Sequence, residues 1–323
     1  MIDISHKRSS LRYARATGTL LASPDIIARV RDGSIPKGDV RSVSRSAGIQ
    51  AAKRASEWIV FCHAMPVDWV EVSMELEDDR MVFTAEVRSV WKTGMEMEAM
   101  TAVSAALLNA YDMLKPLKED VSIGEIRLVE KTGGKSDMSD RFEEPLKAAV
   151  VVVSSAKKQG KRADRAGDVI REFLADQPVT VAEDVYVEEH SDQLAETLKK
   201  LAKGWPAREE DKSDTQDADE NAESGMDLVF VCGATGPTPN DITPQVIRDV
   251  SDKLVPGMGE AMRSYGYQRT PFAMFSEQVA GLRGQTLMIA LPGSARGAGE
   301  SMNALFPGVL HIFRMLRGKP AAK

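Results

Sequence analysis

Cysteine and long apolar runs are scarce in this chain. Its two cysteines, Cys62 and Cys232, lie far apart in the sequence. They are too few for a disulfide framework or a cysteine zinc site. No apolar run approaches the ~20 residues of a membrane-spanning helix, and the polar start MIDISHKRSS is unlike a signal peptide. We therefore expect a soluble cytoplasmic protein that does not associate with membranes.

Positive charge is not in excess either. The chain has 42 Lys and Arg against 48 Asp and Glu, a net charge of -6, which argues against a nucleic-acid binder. A Walker A loop is also missing, which argues against a GTP-binding regulator. What the chain does have is length and apolar content. Its 323 residues, 43% of them hydrophobic, suffice for two ordinary domains with a core each.

The first half of the chain alternates apolar and polar residues. VDWVEVSMELEDDRMVFTAEVRSV (67–90) predicts an antiparallel hairpin that turns at Asp78-Asp79 and buries one face. Helical patterns flank it at 46–59 and 99–117, and the second has an apolar stripe. The stripe consists of Met100, Val103, Leu107, Tyr111 and Leu114. Helices on one face of an antiparallel sheet predict an α+β domain.

The second half has continuous apolar strands, such as KAAVVVVSS (147–155), DLVFVC (227–232) and QTLMIAL (285–291), alternating with helical patterns such as TPQVIRDVSDKL. This alternation predicts an α/β domain of three layers with a mainly parallel sheet. We expect the first domain at 1–137, a polar, mobile linker at 138–147 and the second domain at 148–323. The acidic stretch at about 206–225 has almost nothing to bury and predicts a flexible loop.

Charged and reactive side chains recur through the first half. Each cluster also has a purely structural explanation: a lone histidine such as His63 is often structural, and Asp112 with Lys115 could be a surface ion pair. Glu96 and Glu98 are more informative, because Gly94 favours an extended segment in which they share a face. Paired carboxylates suit Mg²⁺ or acid–base chemistry. EKTGGKS (130–136) could hold a phosphate at its glycine turn.

The order of these clusters carries a resemblance. MIDIS, KGDV, AGIQAAKR, CH, TGMEMEAMTA, YDMLK and EKTGGKS follow one another across 1–137, and together they resemble the cyclic pyranopterin monophosphate synthase family. The resemblance implies a ferredoxin-like fold and a hexamer whose sites are shared between subunits. It also implies conversion of 3′,8-cyclo-7,8-dihydro-GTP to cyclic pyranopterin monophosphate with release of pyrophosphate.

The same resemblance implies site residues. The family's active-site positions are occupied by Lys37, His63, Glu96, Glu98, Asp112, Lys115 and Lys131. We expect Arg12, Lys37 and His63 to bind the triphosphate, with Cys62 beside them. Lys115 and Lys131 are the expected catalytic groups, with a pKa lowered by burial among cations, and Asp112 orients them. The chain departs from the family at Ala64, where proline is usual, and at Val90-Trp91, where Thr-Gly is usual.

A glycine loop, GATGPTPNDITP (233–244), follows a strand in the second half. Such a turn is often only structural, but before a helix its N–H groups can bind an anion. We expect Thr243 to cap that helix and Pro244 to be its first residue. Asp241 repels phosphate unless a cation lies between them, which favours Mg²⁺ and a nucleotide.

The second half resembles the molybdopterin adenylyltransferase family over about 148–318. The resemblance is carried by three motifs, GATG-x4-D-x-TP, PGMGEAMR and LPGS. The resemblance implies Mg²⁺-dependent transfer of AMP from the co-substrate ATP to molybdopterin. Asp241 matches the family's essential aspartate and is the candidate Mg²⁺ ligand, and Glu189 stands where a second aspartate is usual. Substrate-binding segments of the family correspond to Gly233, Thr235, Gly236, Glu260, Ser276, Pro292, Gly293 and Ser294.

Three departures affect this second site. Ala234 replaces a glycine of the loop, Ser154-Ser155-Ala156 replaces Ser-Asp-Arg, and Ser276-Glu277 replaces Ser-Arg. Two hypotheses follow: a bifunctional enzyme, or an active synthase fused to a non-catalytic pterin-binding and oligomerisation module. In both, we expect GTP-derived and pterin small molecules as ligands, other enzymes of the pathway as partners, and a hexameric or trimer-based homo-oligomer.

Overall fold

The computed structural model describes residues 1–117, 120–154, 163–202 and 225–317. The chain divides into two compact units, Met1–Met138 (unit 1) and Ser139–Lys323 (unit 2). The acidic stretch 206–224 and Ser155-Ala156, for which the sequence made predictions, lie outside the described residues. None of the described helices is both long and apolar enough to cross a membrane.

Unit 1 is built on an antiparallel sheet with the strand order β2-β3-β1-β4. Its strands and helices are, in chain order, β1 (Ser10–Leu21), α1 (Pro24–Asp32), α2 (Val40–Ala52), α3 (Ala55–Trp58), β2 (Trp69–Leu76), β3 (Arg80–Trp91), α4 (Glu96–Leu114) and β4 (Ser122–Thr132). Short 3-10 turns lie at Lys115–Leu117 and Lys135–Met138. This βαββαβ order confirms the predicted α+β, ferredoxin-like fold.

The predicted hairpin is β2 and β3, and its buried face is confirmed. Val72 and Met74 on β2, and Met81, Phe83 and Ala85 on β3, are at most 4% exposed. The stripe on α4 is only partly confirmed, since Val103, Leu107 and Leu114 are buried but Tyr111 is 38% exposed. The core also takes small residues on other faces of α4, because this helix contacts both the sheet and α2.

In its described residues, unit 2 has one six-stranded sheet in the order β6-β5-β7-β10-β9-β8. Its strands and helices are β5 (Leu146–Val153), α5 (Arg165–Ala175), β6 (Val179–Val187), α6 (Ser191–Leu201), β7 (Leu228–Cys232), α7 (Thr243–Val250), β8 (Lys253–Leu254), α8 (Pro256–Tyr267), β9 (Ala280–Arg283), β10 (Thr286–Leu291), α9 (Ala295–Leu305) and α10 (His311–Leu316), with 3-10 turns at Pro271–Phe275 and Gly308–Leu310. The pairs β6-β5, β5-β7 and β7-β10 are parallel, which confirms the mainly parallel sheet.

Alternate residues of β5 enter two different cores. Val150 and Val152 pack with α5, α8 and α9, whereas Val151 and Val153 pack with α6 and α7. A strand covered on both faces must be apolar at every position, which is why its sequence is a continuous apolar run. The three-layer architecture predicted from this run is therefore confirmed.

Two segments of unit 2 differ from the expectations. The helix expected through TPQVIRDVSDKL ends at Val250, and Lys253–Leu254 instead pairs with β9. Part of the linker expected to be mobile at 138–147 is held in place by contacts with α10. The Asp140 side chain is 7% exposed and binds His311 Nδ1 at 2.9 Å and Arg314 at 2.8 Å. Phe142 packs against the core of unit 2. The residues after Ser139 are therefore held by unit 2.

Candidate active sites

A group of charged side chains lies at the C-terminal end of α4. Lys37 Nζ, from the loop before α2, donates to Asp112 O at 2.9 Å and to Asp112 Oδ2 at 2.6 Å. Lys115 Nζ lies 2.7 Å from Asp112 Oδ1. Hydrogen bonds from Lys115 and then Lys37 lower the pKa of Asp112 to about 2. The structure thus brings together three of the predicted site residues, here named the Asp112 group.

Lys115, one of the two lysines of this group, does not have the expected lowered pKa. The Lys115 side chain is 55% exposed. Its hydrogen bond with Asp112, followed by the charge of that carboxylate, raises the pKa of Lys115. Within one chain, the expectation of a buried, more acidic Lys115 is therefore wrong. Lys115 is an ammonium group, suited to bind an anion or to act as a general acid.

A second group lies at the N-terminal end of α4. Lys131 Nζ, on β4, is 3.1 Å from Glu96 Oε1. Arg12, on β1, donates to the carbonyl oxygens of Trp91 at 3.3 Å and Lys92 at 3.4 Å. Burial lowers the pKa of Arg12, and the carboxylate of Glu96 acts in the opposite direction. These residues, Arg12, Glu96 and Lys131, are named the Glu96 group.

Glu96 and Glu98 do not share a face, which corrects the expectation of an extended segment. Both lie in the first turn of α4, where residues two apart point in directions about 200° apart. Glu96 meets Lys131, whereas Glu98 is 2% exposed and its Oε1 accepts from Cys62 Sγ at 3.5 Å. The two carboxylates therefore do not form the paired site that could hold Mg²⁺.

Cys62 and Glu98 both have a raised pKa, and burial is the main cause for each. Removal from water disfavours the charged carboxylate and so raises the pKa of Glu98. Burial, followed by the negative charge of Glu98, raises the pKa of Cys62 to about 11. Neighbouring His63 is half-buried, and its Nε2 lies 2.9 Å from Ile2 O. Cys62 is therefore a neutral thiol and a hydrogen-bond donor at neutral pH.

This pKa predicts slow alkylation of Cys62. Because the thiolate is the reactive form, iodoacetamide at pH 8 should modify Cys62 on the order of 100-fold more slowly than free cysteine. The rate should rise with pH until about pH 11. Glu98→Gln removes the negative charge and should accelerate the reaction. Peptide mass mapping measures each thiol separately, with fully buried Cys232 as the unreactive control. Alkylation of Cys62 as fast as free cysteine would contradict the raised pKa.

The two groups on α4 are far apart in one chain. Glu96 and Asp112 lie near the two ends of this 19-residue helix, so they are about 24 Å apart at ~1.5 Å per residue. A single ligand of nucleotide size cannot contact both groups. One chain therefore carries two separate groups of charged side chains, one at each end of α4.

In unit 2 most of the predicted site residues follow strands of the parallel sheet, whereas Glu260 lies on α8 and Ser276 follows a 3-10 turn. The glycine loop follows β7, Pro292-Gly293-Ser294 follows β10, and Glu189 follows β6. Carboxyl ends of parallel strands share one edge of a sheet, where α/β proteins bind ligands. Gly233 has φ +106°, and a Cβ on it would lie 2.6 Å from Val153 O. Only glycine fits there, so the loop can pass directly over the end of β5.

The glycine loop is tied to the helix that follows it. Thr243 is the first residue of α7, and its Oγ1 donates to Gly233 O at 2.7 Å. The expected cap is therefore wrong, because Thr243 binds the loop and not the first turn of the helix. Ala234 has φ +51°, a conformation that costs a non-glycine residue about 1–2 kcal/mol. The loop therefore holds Ala234, which replaces a glycine of the family, in a backbone conformation that favours glycine.

Asp241 is held by the same loop. Its Oδ2 accepts from Thr238 N at 3.0 Å and from Thr238 Oγ1 at 2.5 Å. Burial tends to raise the pKa of Asp241, but hydrogen bonds from Thr238 and from the backbone of Gly236 outweigh it and lower the pKa. Among the described residues no three His, Cys, Asp or Glu side chains form a metal cluster. An ionised Asp241 still suits Mg²⁺ when phosphate oxygens and water complete the coordination.

Two clefts adjoin the glycine loop through Ser276. Ser276 Oγ lies 3.2 Å from Thr235 Oγ1, and Glu277 N donates to Thr235 O at 2.7 Å. One cleft, of about 320 Å³, is lined by Ser276, Pro292 and Ser294. The other, of about 490 Å³, lies beside Pro237 and is named the Arg248 cleft after one of its residues. Glu189 and Glu260 are exposed and line neither of these clefts, so the structure does not bring them to Ser276.

Two family models match the chain. One is described as the MoaC family and matches residues 1–134, and the other is described as a probable molybdopterin binding domain and matches residues 206–311. The molybdenum cofactor biosynthesis bifunctional protein of Chlorobaculum tepidum is 32% identical and aligns over 98% of this chain and 95% of its own length. The chain belongs to this family of bifunctional proteins. The relative from Synechococcus elongatus is 33% identical over 98% of both chains.

Each unit of this bifunctional molybdenum cofactor biosynthesis protein also has shorter relatives. The cyclic pyranopterin monophosphate synthase of Heliobacterium modesticaldum is 46% identical over 42% of this chain and 87% of its own. Among solved structures, the molybdopterin biosynthesis enzyme MoaB of Thermus thermophilus is 34% identical over 54% of this chain and 98% of that chain, with a TM-score of 0.46. As a member of the bifunctional family, the chain is an enzyme of molybdenum cofactor biosynthesis.

Sequence reasoning missed two cations of the bifunctional protein. Arg248, at the end of α7, and Arg263, on α8, line the Arg248 cleft together with Glu277. Arg263 stands within the quoted motif PGMGEAMR, so its position was a usable signal. Arg248 offered none, because its partner Glu277 is 29 residues away in sequence.

Proposed function

We propose that unit 1 converts 3′,8-cyclo-7,8-dihydro-GTP to cyclic pyranopterin monophosphate and pyrophosphate, and that unit 2 transfers AMP from ATP to molybdopterin. For unit 1, the observation that carries the proposal is the pair of charged groups at the two ends of α4. For unit 2, it is the ionised Asp241 held by the glycine loop. The relative named a cyclic pyranopterin monophosphate synthase supports the first assignment, and the match to a probable molybdopterin binding domain supports a pterin ligand for unit 2.

In unit 1 the cations match a triphosphate substrate. Closing a cyclic phosphate requires a hydroxyl oxygen to attack the α-phosphorus while the bond to pyrophosphate breaks. Lys37 and Lys115, both bound to Asp112, present two ammonium groups that stabilise the negative charge of the departing pyrophosphate. Lys131 and Glu96 form an acid–base pair at the other end of α4. We propose that a second copy of the chain brings the two groups together, consistent with a homo-oligomer.

In unit 2 the glycine loop would hold the phosphates of ATP. Its backbone N–H groups, the N-terminus of α7 and Asp241 lie within one short segment. Asp241 would be the protein ligand of Mg²⁺, which supplies positive charge between the carboxylate and the phosphates when bound. AMP transfer then requires a phosphate oxygen of molybdopterin to attack the α-phosphorus of ATP, with pyrophosphate as the leaving group.

The non-catalytic module remains the second candidate for unit 2. The observation that favours it is Glu277, whose side chain is 51% exposed at the Arg248 cleft. An exposed carboxylate near an ATP site weakens phosphate binding by charge repulsion unless a cation neutralises it. Under this hypothesis unit 2 binds the pterin and transfers no AMP.

Metal removal distinguishes the two candidates. Full-length chain, molybdopterin and ATP labelled at the α-phosphate should form labelled adenylylated molybdopterin in the presence of Mg²⁺. EDTA should reduce this transfer by at least about 100-fold, because without Mg²⁺ the negative charges of Asp241 and of the phosphates repel each other. Synthase turnover of the same preparation is measured in parallel as the control for intact protein. An active synthase with no AMP transfer at any Mg²⁺ concentration would establish the non-catalytic module.

A further inference from the structure

The Arg248 cleft has the size and composition of a small-molecule site. Its volume is about 490 Å³, within the ~300–1,000 Å³ of most ligand pockets. The glycine-loop residue Pro237 and Ser276 form part of its wall, and Leu254, Met274 and Phe275 contribute apolar surface. A ligand bound at the glycine loop can therefore extend into this cleft without leaving the same face of unit 2.

Among the residues that the structure describes, three charged side chains line this cleft: Arg248, Arg263 and Glu277. The Arg248 guanidinium binds Glu277 Oε1 through Nη2, with side-chain exposures of 33% and 51%. Arg263 Nη1 donates to Gln278 O at 2.9 Å. The three groups sum to one positive charge, so the cleft attracts an anion even though it contains a carboxylate.

Glu277 connects Arg248 to the glycine loop. The backbone N–H of Glu277 donates to Thr235 O at 2.7 Å, and its carboxylate accepts from Arg248. Arg248 also lies on α7, which begins at Thr243 and is bonded there to Gly233. Arg248 is thus fixed relative to the loop from two directions, through its own helix and through Glu277.

A guanidinium can bind two anions at once. It carries five N–H donors in a planar fork, and Glu277 accepts from one of its nitrogens. The remaining donors can bind a phosphate oxygen in the cleft. In the family that unit 2 resembles, an arginine follows the serine directly, at the position of Glu277. Here Arg248, on α7, brings a cation to Glu277.

We propose that Arg248 is the phosphate-binding cation of the Arg248 cleft and that Glu277 is the residue that positions it. The proposal rests on the proposed function of unit 2, since it names a residue that binds the nucleoside triphosphate. It also removes the objection raised by Glu277, because a carboxylate paired with Arg248 is neutralised.

Nucleotide binding by full-length variants tests this assignment. Arg248→Ala should weaken binding of ATP with Mg²⁺ by about 10- to 100-fold, the usual loss for a hydrogen bond to a charged group. Arg248→Lys should restore part of the affinity, since lysine keeps the charge but not the fork. Glu277→Gln should weaken binding severalfold because Arg248 loses its partner. If Glu277 only repels phosphate, Glu277→Gln binds ATP more tightly, and the positioning role is overturned.

A charge exchange gives the sharper comparison. Arg248→Glu places two carboxylates in the cleft and should abolish detectable ATP binding. Adding Glu277→Arg to that variant restores the ion pair in reverse and should recover most of the binding. No recovery in a folded double variant would overturn the proposal. Thermal unfolding verifies that each variant is folded, and the exposed pair Arg45–Glu71 of unit 1, substituted in the same way, is the matched control.

The outcomes separate this inference from the proposed function. A wild-type chain that binds no ATP overturns both. Wild-type binding and AMP transfer that are unchanged in Arg248→Ala overturn only the role of Arg248. Wild-type binding without AMP transfer, weakened by Arg248→Ala, supports the role of Arg248 while it overturns adenylylation.

Discussion

Lys115→Ala and Lys131→Ala chains, each inactive as a synthase alone, should regain activity when they form mixed oligomers. Either substitution should reduce cyclic pyranopterin monophosphate formation by about 10²–10⁴-fold, because Lys131 is an acid–base group and Lys115 stabilises the charge of the leaving pyrophosphate. If each site takes the Asp112 group of one chain and the Glu96 group of another, about a quarter of the sites in a random one-to-one mixture contain both lysines. The recovered turnover should therefore approach a quarter of the wild-type value.

The control for this experiment is a mixture in which both substitutions fall in the same group. Lys37→Ala and Lys115→Ala both damage the Asp112 group, so no arrangement of these two chains contains an intact site. Native mass spectrometry with one isotopically labelled chain establishes that mixed oligomers have formed. Mixed oligomers of the first pair with no recovered turnover would show that a site does not combine residues of two chains.

Asp241→Asn should abolish AMP transfer and leave the synthase untouched. The amide oxygen can still accept from Thr238, so the glycine loop should keep its shape, but the negative charge that attracts Mg²⁺ is lost. We expect at least about a 100-fold fall in AMP transfer, since the cation at a phosphoryl-transfer site carries much of the catalysis. Both products are quantified by chromatography from the same preparation.

The matched control for Asp241 is Asp249 on α7, which is exposed and accepts from Gln245 at 2.7 Å. Asp249→Asn also removes one negative charge, from the helix that follows the glycine loop. AMP transfer by this variant should be unchanged. An Asp241→Asn chain that transfers AMP at the wild-type rate would remove this carboxylate from the proposed mechanism. Equal losses in the two variants would indicate a general effect of net charge.

The parts of the fold predicted from sequence are those with strong apolar periodicity. The β2–β3 hairpin alternates large apolar residues with polar ones, and β5 is continuously apolar, so both were predictable. The central strand β1 was not assigned, because its buried positions, such as Ala14, Ala16 and Gly18, are too small to give a clear pattern. Strand β8 was missed because two residues carry no periodicity.

The candidate sites were predictable in composition but not in arrangement. The sequence indicated Lys37, Asp112 and Lys115 as functional, and the structure places them together. It could not show that α4 begins at Glu96, because Met95 makes no capping hydrogen bond and Gly94 favoured an extended segment. The pairing of Arg248 with Glu277 depends on how α7 packs against the segment before β9, which no local pattern encodes.

The contacts of Asp140 with His311 and Arg314 also determine where the chain can be cut to obtain unit 2 as a separate protein. A shortened chain that starts at Leu146 would contain every strand of the unit 2 sheet, but it would lack the carboxylate bound to His311 and Arg314 and the ring of Phe142. Loss of a nearly buried, charged hydrogen-bond partner costs about 1–3 kcal/mol. Separate expression of unit 2 should therefore begin at Ser139, and a protease that cuts just before Asp140 should release a more stable fragment than one that cuts just after Phe142.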